Sequence, residues 1–346
     1  MVSLIFNPDL FEFYFKKNYG IDRILRPDSA IFAFLFFQLF DNHKKLLDTL
    51  IKISLIYFIF TVVIELIPAI KAGYWTDIGA DGNQIKLTYN LSFGYKLTFP
   101  TILFIYSFVF QKKKIFLLNS IIGFLLILIY GNRGAILVIL IYIFLILLSL
   151  LEKYSLPKKI LLISSLIVLS LLLIHYLDSI ILFFANVLER FNINSRTLRL
   201  LAYGRISEDN GRDIIWDLVI DAIKQGGILG YGILGDRPFV SPIHYVGYSH
   251  NIFLELVVSF GIFGYFVILY LIIDAIKMIF FCKNKYSKQL YIIFFSVACQ
   301  LLLSMSFWFV WEFWAMLAIS FSYKRMEKEK NKVRLVDRFE RNYKKK

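Results

Sequence analysis

The 346-residue chain is 58% hydrophobic and 18% aromatic, above the roughly 45–50% apolar content of soluble proteins, and this indicates several membrane-spanning helices. Its two cysteines, Cys282 and Cys299, exclude a disulfide framework and a cysteine-based metal site. The formal net charge is +14, and the segment 324–346 has eleven basic and four acidic residues. This segment is either a solvated tail that only sets the orientation of the chain, or one that contacts anionic lipid, which is favoured over nucleic acid.

The front of the chain is predicted to stay outside the bilayer core. Residues 1–23 form an extramembrane or interfacial segment, because Asn7, Pro8 and Asp9 interrupt the opening apolar run before a signal peptide can form. The next apolar stretch, 24–40, is interrupted near Pro27 and is predicted to be a broken or re-entrant helix.

Eight further apolar runs approach the roughly 20 residues that cross a bilayer. They lie at 53–70, 91–110, 115–130, 134–151, 160–177, 252–273, 289–305 and 306–323. We therefore predict an all-α fold, a polytopic integral membrane helix bundle of about eight or nine transmembrane helices. These helices occupy 24–184 and 250–323, on either side of one large extracytoplasmic loop at 185–249.

Lysine in the short turns predicts the orientation of the chain. Lysine-containing turns lie at 41–45, 111–114, 152–159 and 283–288, and the basic tail follows at 324–346. Positively charged short segments favour the cytoplasmic side, so alternation places 71–90, 131–133 and the large loop outside.

The large loop uses arginine instead of lysine. Its basic residues are Arg190, Arg196, Arg199, Arg205, Arg212 and Arg237, against the single Lys224. A planar guanidinium can hold phosphate or carboxylate through two parallel hydrogen bonds, whereas lysine is a hydrated point charge. The loop is therefore a candidate anion site.

Within this loop, apolar residues at helical spacing predict an amphipathic surface helix over about 212–225. Asn210 is predicted to cap its start, and Gly226 and Gly227 to end it. Arg212 then falls in the first turn, where free N–H groups and the helix dipole favour an anion. The alternative is a structural pairing of Arg212 with Asp213.

Two other polar positions interrupt apolar surroundings. Arg133 lies in the turn 131–134 between two apolar spans. It is predicted either to bind an anion or to be a turn residue whose side chain extends to the membrane surface. His250 precedes the span at 252–273, and an imidazole there can take a proton from a hydroxyl near neutral pH. The alternative for His250 is a structural role at the membrane interface.

Four motifs follow one another over roughly 115–325. They are Gly-Asn-Arg-Gly at 131–134, Arg212 with Trp216 and Ala222, the glycine run at 227–232, and His250-Asn251 followed by Leu254, Glu255, Gly261 and Gly264. Together these motifs resemble the O-antigen ligase and polymerase superfamily. The superfamily consists of bacterial membrane enzymes that act on polyprenyl-diphosphate-linked glycans outside the cytoplasmic membrane.

The resemblance implies roles for particular residues. Arg133 and Arg212 would bind the donor diphosphate, and His250 would help the acceptor hydroxyl attack, which makes these three the catalytic candidates. The substrate-binding candidates are Arg205, Tyr248, Asn251 and Glu255. No metal or nucleotide cofactor is implied.

The implied function is polymerisation of a surface polysaccharide, with an O-antigen ligase acting on a lipid A core as the alternative. The expected partners are a lipid-linked oligosaccharide donor and acceptor, membrane lipids, and a chain-length regulator or flippase, with no nucleic acid. A polysaccharide or lipid transporter is an alternative of another class, although the sequence shows no pair of related halves. An inactive scaffold is a third alternative, because superfamily members usually carry more helices at the front.

Overall fold

The computed structural model describes most of the chain. The described residues are 7–15, 21–26, 29–78, 84–87, 90–151, 211–226, 228–242 and 247–343, together with 5, 155, 157–158, 160–161, 164–165, 182–184, 186–187 and 190. They fall into two compact units, of which the first joins 1–48 to 211–346 and the second holds 49–210.

The first half of the chain contains both short and long helices. A 3₁₀ turn at Pro8–Leu10 precedes α1 (Phe11–Phe15), α2 (Ile21–Ile24), α3 (Ala30–Gln38) and α4 (His43–Thr61), which continues through a π-helical turn at Val62–Leu66 into α5 (Ile67–Ala72). A hairpin of β1 (Trp75–Ile78) and β2 (Gln84–Leu87) follows, and then α6 (Leu91–Gln111), α7 (Ile115–Tyr130) and α8 (Arg133–Leu151).

The second half begins with the helices of the predicted large loop. These are α9 (Arg212–Gln225) and α10 (Arg237–Val240). They are followed by α11 (Ile252–Phe260), α12 (Ile262–Ile276) with a π-helical end at Lys277–Phe281, α13 (Lys285–Ala298) with a 3₁₀ end at Cys299–Leu302, and α14 (Trp311–Tyr343).

The helices confirm an all-α fold with several apolar helices compatible with a membrane bundle. Among the described residues, three helical stretches are long and apolar enough to cross a bilayer, namely His43–Ala72, Ser92–Gln111 and Ile262–Phe281. The shorter apolar helices α7 and α8 add two more candidates. The predicted total of eight or nine spans stays a prediction, and most of the predicted span at 160–177 lies outside the described residues.

The second unit is built around α6, α7 and α8. The side chain of Asn90 caps α6 by accepting a hydrogen bond from Ser92 N at 2.9 Å. Gly94 allows α6 to approach the turn before α8, because a Cβ atom at Gly94 would lie 2.8 Å from Gly131 Cα. An ion pair between Lys96 and Glu65, 2.9 Å long, links α6 to the π-helical turn after α4.

The hairpin was not predicted from the sequence. Its strands are antiparallel, with Trp75 opposite Leu87 and Ile78 opposite Gln84. The Trp75 ring is buried against Phe93, with 4.9 Å between the ring centroids, and this contact fastens the hairpin to α6.

In the first unit, α14 packs against α3 and α13. The Phe37 ring of α3 lies between Trp311 of α14 and Phe294 of α13, at centroid distances of 6.0 and 5.3 Å. The buried His43 ring shares hydrogen bonds with Ser287 (2.7 Å) and Ser322 (3.2 Å). The lysine-containing segments near 43, 287 and 322 therefore meet, as expected if they lie on one side of the membrane.

Some described helices differ in their bounds from the predicted spans. The predicted span at 252–273 is two helices that meet at Gly261, whose backbone (φ 56°, ψ −131°) cannot continue a helix. The spans at 289–305 and 306–323 are separated by irregular chain between Leu302 and Trp311. The predicted tail at 324–346 is helical as far as Tyr343, because α14 runs on beyond its apolar part.

The interrupted stretch at 24–40 is broken as predicted. Helix α2 ends at Ile24 and α3 begins at Ala30. The N–H of Ser29 donates a hydrogen bond to Arg26 O at 2.8 Å, and residues 27 and 28 lie outside the described part of the chain.

Candidate functional site

The amphipathic helix α9 has the bounds that the sequence predicts, but a different residue caps its start. The N-cap is Gly211 in the left-handed conformation (φ 79°), without a side-chain cap, and Asn210 lies outside the described residues. Glycine adopts this conformation without steric cost.

One face of α9 is buried. Its apolar residues form a core cluster with residues of α10 and α11, namely Ile215, Val219, Ala222, Val240 and Val258. The opposite face is exposed and carries Lys224 paired with Asp221 at 2.8 Å, and this hydrogen bond raises the pKa of Lys224. Burial of the apolar face against α11 fixes where the arginine at the start of α9 lies.

Arg212 is the first residue of α9 and is half-buried. One turn further on, Trp216 donates a hydrogen bond from Nε1 to Ser249 O, 3.0 Å away. Residues four apart lie on the same side of a helix, so Arg212 faces the same region as Trp216. The start of α9 is thereby attached directly beside His250.

His250 lies at the end of the irregular segment before α11. Its backbone is left-handed (φ 53°), an uncommon conformation for a residue other than glycine, and its ring centroid is 4.3 Å from that of Tyr248. Asn251 then caps α11, because its side-chain oxygen accepts hydrogen bonds from Phe253 N (2.9 Å) and Leu254 N (3.2 Å). Asn251 therefore fixes the backbone next to His250, and its predicted substrate contact stays a prediction.

A buried cluster of charged groups lies behind this segment, centred on Arg237. The Arg237 side chain is 1% exposed and donates to Gly247 O (3.1 Å) and Ser306 Oγ (3.1 Å). Its guanidinium lies 3.2 Å from the Asp236 carboxylate and 3.6 Å from that of Glu255. The Tyr248 ring covers it, with 5.2 Å between the guanidinium carbon and the ring centroid.

Glu255 faces this cluster from the first turn of α11. It is fully buried and accepts hydrogen bonds from Ser306 Oγ (2.5 Å) and Phe307 N (3.2 Å). Both carboxylate oxygens therefore bind protein groups and hold the irregular chain after α13. The substrate contact predicted for Glu255 stays a prediction, and its observed contacts are structural.

The glycine-containing segment after α9 attaches to the end of α11. Tyr231 N donates to Val258 O (2.9 Å) and Gly232 N donates to Ser259 O (2.7 Å), so carbonyls left unpaired at the helix end are satisfied. Gly261 permits this contact, because a Cβ atom there would lie 2.1 Å from Ile228 O. Gly230 and Gly232 of the glycine run therefore serve backbone packing, and Gly227 lies outside the described residues.

Arg133 begins α8 in the second unit. Asn132 caps that helix, since its side-chain oxygen accepts a hydrogen bond from Ala135 N at 2.8 Å. The side chain of Arg133 and the whole of Arg205 lie outside what the structure describes. A common pocket for Arg133, Arg212 and His250 therefore stays a prediction.

Arg237 is one of the six loop arginines, and the sequence does not distinguish it from the others. Ser306 was not predicted as a residue of the site. One signal was available, because Glu255 is a carboxylate inside an apolar run and such a group needs a cationic partner. Among the described residues, no three His, Cys, Asp or Glu side chains lie close enough to bind a metal ion together.

The fold and this region define a helical protein with apolar helices of membrane-spanning length, with arginines at the starts of helices and a histidine on the irregular segment before α11. The family model described as O-antigen ligase matches residues 118–269, which include Arg133, Arg212 and His250. The resemblance to the O-antigen ligase and polymerase superfamily is therefore confirmed over that segment. Comparison with curated proteins and with solved structures found no match.

Proposed function

We propose that the chain is a surface-polysaccharide polymerase. It transfers glycan from a polyprenyl-diphosphate-linked donor to a lipid-linked acceptor repeat unit, at the outer face of the bacterial cytoplasmic membrane. The observation that carries this proposal is the Trp216–Ser249 hydrogen bond, which joins the helix of Arg212 to the segment of His250 within the family-matched region.

The reaction is a direct displacement at the anomeric carbon of the donor sugar. The acceptor hydroxyl oxygen forms the new bond to that carbon, and the bond between the carbon and the diphosphate oxygen breaks. The electron pair leaves with the diphosphate, and the hydroxyl proton passes to the His250 imidazole as general base. Attack opposite the leaving group inverts the anomeric centre.

Arg212 stabilises the leaving diphosphate in this mechanism. Charge grows on the diphosphate as the bond breaks, and a fixed guanidinium at a helix start is favourably placed to offset it. Arg133 supplies the second guanidinium. The proposed substrate-binding residues are Arg205, Tyr248, Asn251 and Glu255. Tyr248 lies beside the His250 ring, and Glu255 binds Ser306 in the cluster behind that segment.

The proposed orientation is supported by the grouping of segments within the first unit. Lysine-containing segments near 43, 287 and 322 meet through His43. The irregular segments at 247–250 and 305–309 meet through Arg237 instead. Helix α13 runs from the lysine-containing group towards the group that meets through Arg237, so the two groups lie at opposite ends of a helix. Because lysine favours the cytoplasmic side, this favours a site on the outer side.

The test is reconstitution of the full chain in liposomes with a lipid-linked oligosaccharide, followed by gel analysis of product length. The wild type is compared with His250→Ala and Arg212→Ala, and with Lys224→Ala as a control on the exposed face of the same helix. A ladder that the first two variants lack and the control retains supports the proposal. A single transfer to a lipid A core indicates a ligase, and movement of unaltered substrate indicates a transporter.

Arg212→Lys separates charge from geometry. A lysine keeps the charge but cannot form two parallel hydrogen bonds to phosphate, so we expect a loss of turnover close to that of Arg212→Ala. Near-normal turnover of Arg212→Lys would contradict the diphosphate assignment.

A further inference from the structure

We propose that Arg237 is a positioning residue for His250, a role that rests on the proposed function. Because only 1% of its side chain is exposed, it cannot reach substrate directly. It acts through the segment 247–249, which leads directly into His250.

Arg237 and its neighbour Asp236 hold both ends of that segment. Arg237 donates to Gly247 O at 3.1 Å, while Asp236 accepts from Ser249 N at 2.8 Å. Tyr248, between these two anchors, places its ring over the guanidinium at 5.2 Å and beside the His250 ring at 4.3 Å. The Arg237 guanidinium therefore holds both the backbone that precedes His250 and the Tyr248 ring that lies against the imidazole.

The other side of Arg237 fixes the irregular chain after α13. Ser306 Oγ accepts from Arg237 and donates to Glu255, and Phe307 N also donates to Glu255. The Tyr248 hydroxyl lies 3.8 Å from the sulfur of Met305. Arg237 thus connects three stretches of chain, before α11, within α11 and after α13.

Arginine suits this place for a physical reason. Its five N–H donors have a fixed planar arrangement, so one side chain can meet a carbonyl, a hydroxyl and two carboxylates while a ring covers its face. A lysine ammonium has three donors and lacks the planar face, so it cannot reproduce all of these contacts. Without them the left-handed backbone at His250 loses its support.

Positioning matters because proton transfer depends on distance. A displacement of about 1 Å at a reacting group can cost about a hundredfold in rate. Arg237→Lys is therefore expected to lower kcat by at least about tenfold while the KM for the lipid-linked donor stays within about twofold. The acid side of the pH profile of kcat should also shift, since the surroundings of the imidazole change.

The experiment uses the full chain in liposomes with a lipid-linked oligosaccharide. It compares the wild type, Arg237→Lys, Ser306→Ala and Asp274→Asn, with thermal melting of each. Ser306→Ala keeps every charge and removes one contact of Arg237, so it should lower kcat in the same direction but less. Asp274→Asn removes a buried charge that lies outside this cluster, so it should lower the melting temperature without changing kcat.

Three outcomes decide between the possibilities. A wild-type kcat and pH profile in both Arg237→Lys and Ser306→Ala would overturn the positioning role. An equal loss of kcat in Asp274→Asn would overturn it as well, since general destabilisation would then explain the effect. Activity that survives His250→Ala would instead overturn the proposed function itself, and so the two failures are distinguishable.

Discussion

Two buried charged clusters among the described residues of the first unit differ in what they connect. At one, Arg237 binds Asp236, Glu255 and Ser306, and it holds irregular chain on both sides of α11. At the other, Asp274 of α12 binds Ser320 (2.7 Å) and Lys324 (2.5 Å) of α14 and lies 3.4 Å from Tyr291 of α13.

The difference shows how the two cations are used. Lys324 is half-exposed and crosslinks regular helices whose backbone bonds are already satisfied. Arg237 is fully buried and satisfies a carbonyl that no helix pairs. The Arg237 cluster therefore fixes the conformation of the irregular segments around α11. The Lys324 cluster only adds a contact between helices whose conformation is already fixed by packing.

The largest effect is expected from Arg237→Met. It leaves the Asp236 and Glu255 carboxylates buried without their cation, which typically costs about 3–5 kcal/mol. The measurement is the free energy of unfolding from denaturation in mixed detergent micelles. A loss below about 1 kcal/mol would show that this cluster is no more important for stability than an exposed ion pair.

A smaller loss is expected from Gly261→Ala. The added Cβ would meet Ile228 O at 2.1 Å, and the backbone there has a positive φ. Backbone strain of this kind costs about 1–3 kcal/mol, and the segment at 228–232 should separate from α11. Faster hydrogen exchange at the Tyr231 and Gly232 amides checks this, with Gly73→Ala as a control because that glycine has a similar φ and open space around it. Unchanged exchange at both amides in Gly261→Ala would contradict the expectation.

Trp216→Phe tests the attachment of α9 to the segment before His250. It keeps an aromatic ring but removes the hydrogen bond to Ser249 O, which contributes about 0.5–1.5 kcal/mol. We expect a stability loss of that size together with a fall in glycan transfer. If stability fell while transfer stayed at the wild-type level, Arg212 and His250 would not depend on this contact for their placement.

The smallest effect is expected from Lys324→Met in the lysine cluster. The Lys324 side chain is 43% exposed, and the buried Asp274 carboxylate keeps its hydrogen bonds from Ser320 and Tyr291, so the loss should stay at about 1 kcal/mol. Unfolding in mixed micelles, run beside Arg237→Met, gives the comparison directly. Equal losses for the two variants would remove the distinction between the clusters.

The sequence predicts the long helices well, because an apolar run of membrane length has few other structures available to it. It also predicts the bounds of α9, where helical spacing and Gly226 leave little choice. It does not predict the break at Gly261, since apolar residues continue on both sides of that glycine. The hairpin after α5 was missed because its strands have only four residues each.

The candidate site is only partly predictable for a different reason. Arg212 and His250 stand out because charged or titratable groups are rare beside apolar spans. Arg237 does not stand out among six loop arginines, and its partner Ser306 is 69 residues away along the chain. Composition and spacing carry no information about such long-range pairs, which depend on how separate stretches of chain pack together.

The position of His43 has a consequence for the order in which the protein assembles. Its ring binds Ser287 and Ser322, so a residue near the front of the chain completes its contacts only after the last helix has been synthesised. Until residue 322 has been synthesised, His43 and the surface of α3 that α14 covers are without these contacts. Closure of this unit therefore depends on an intact α14.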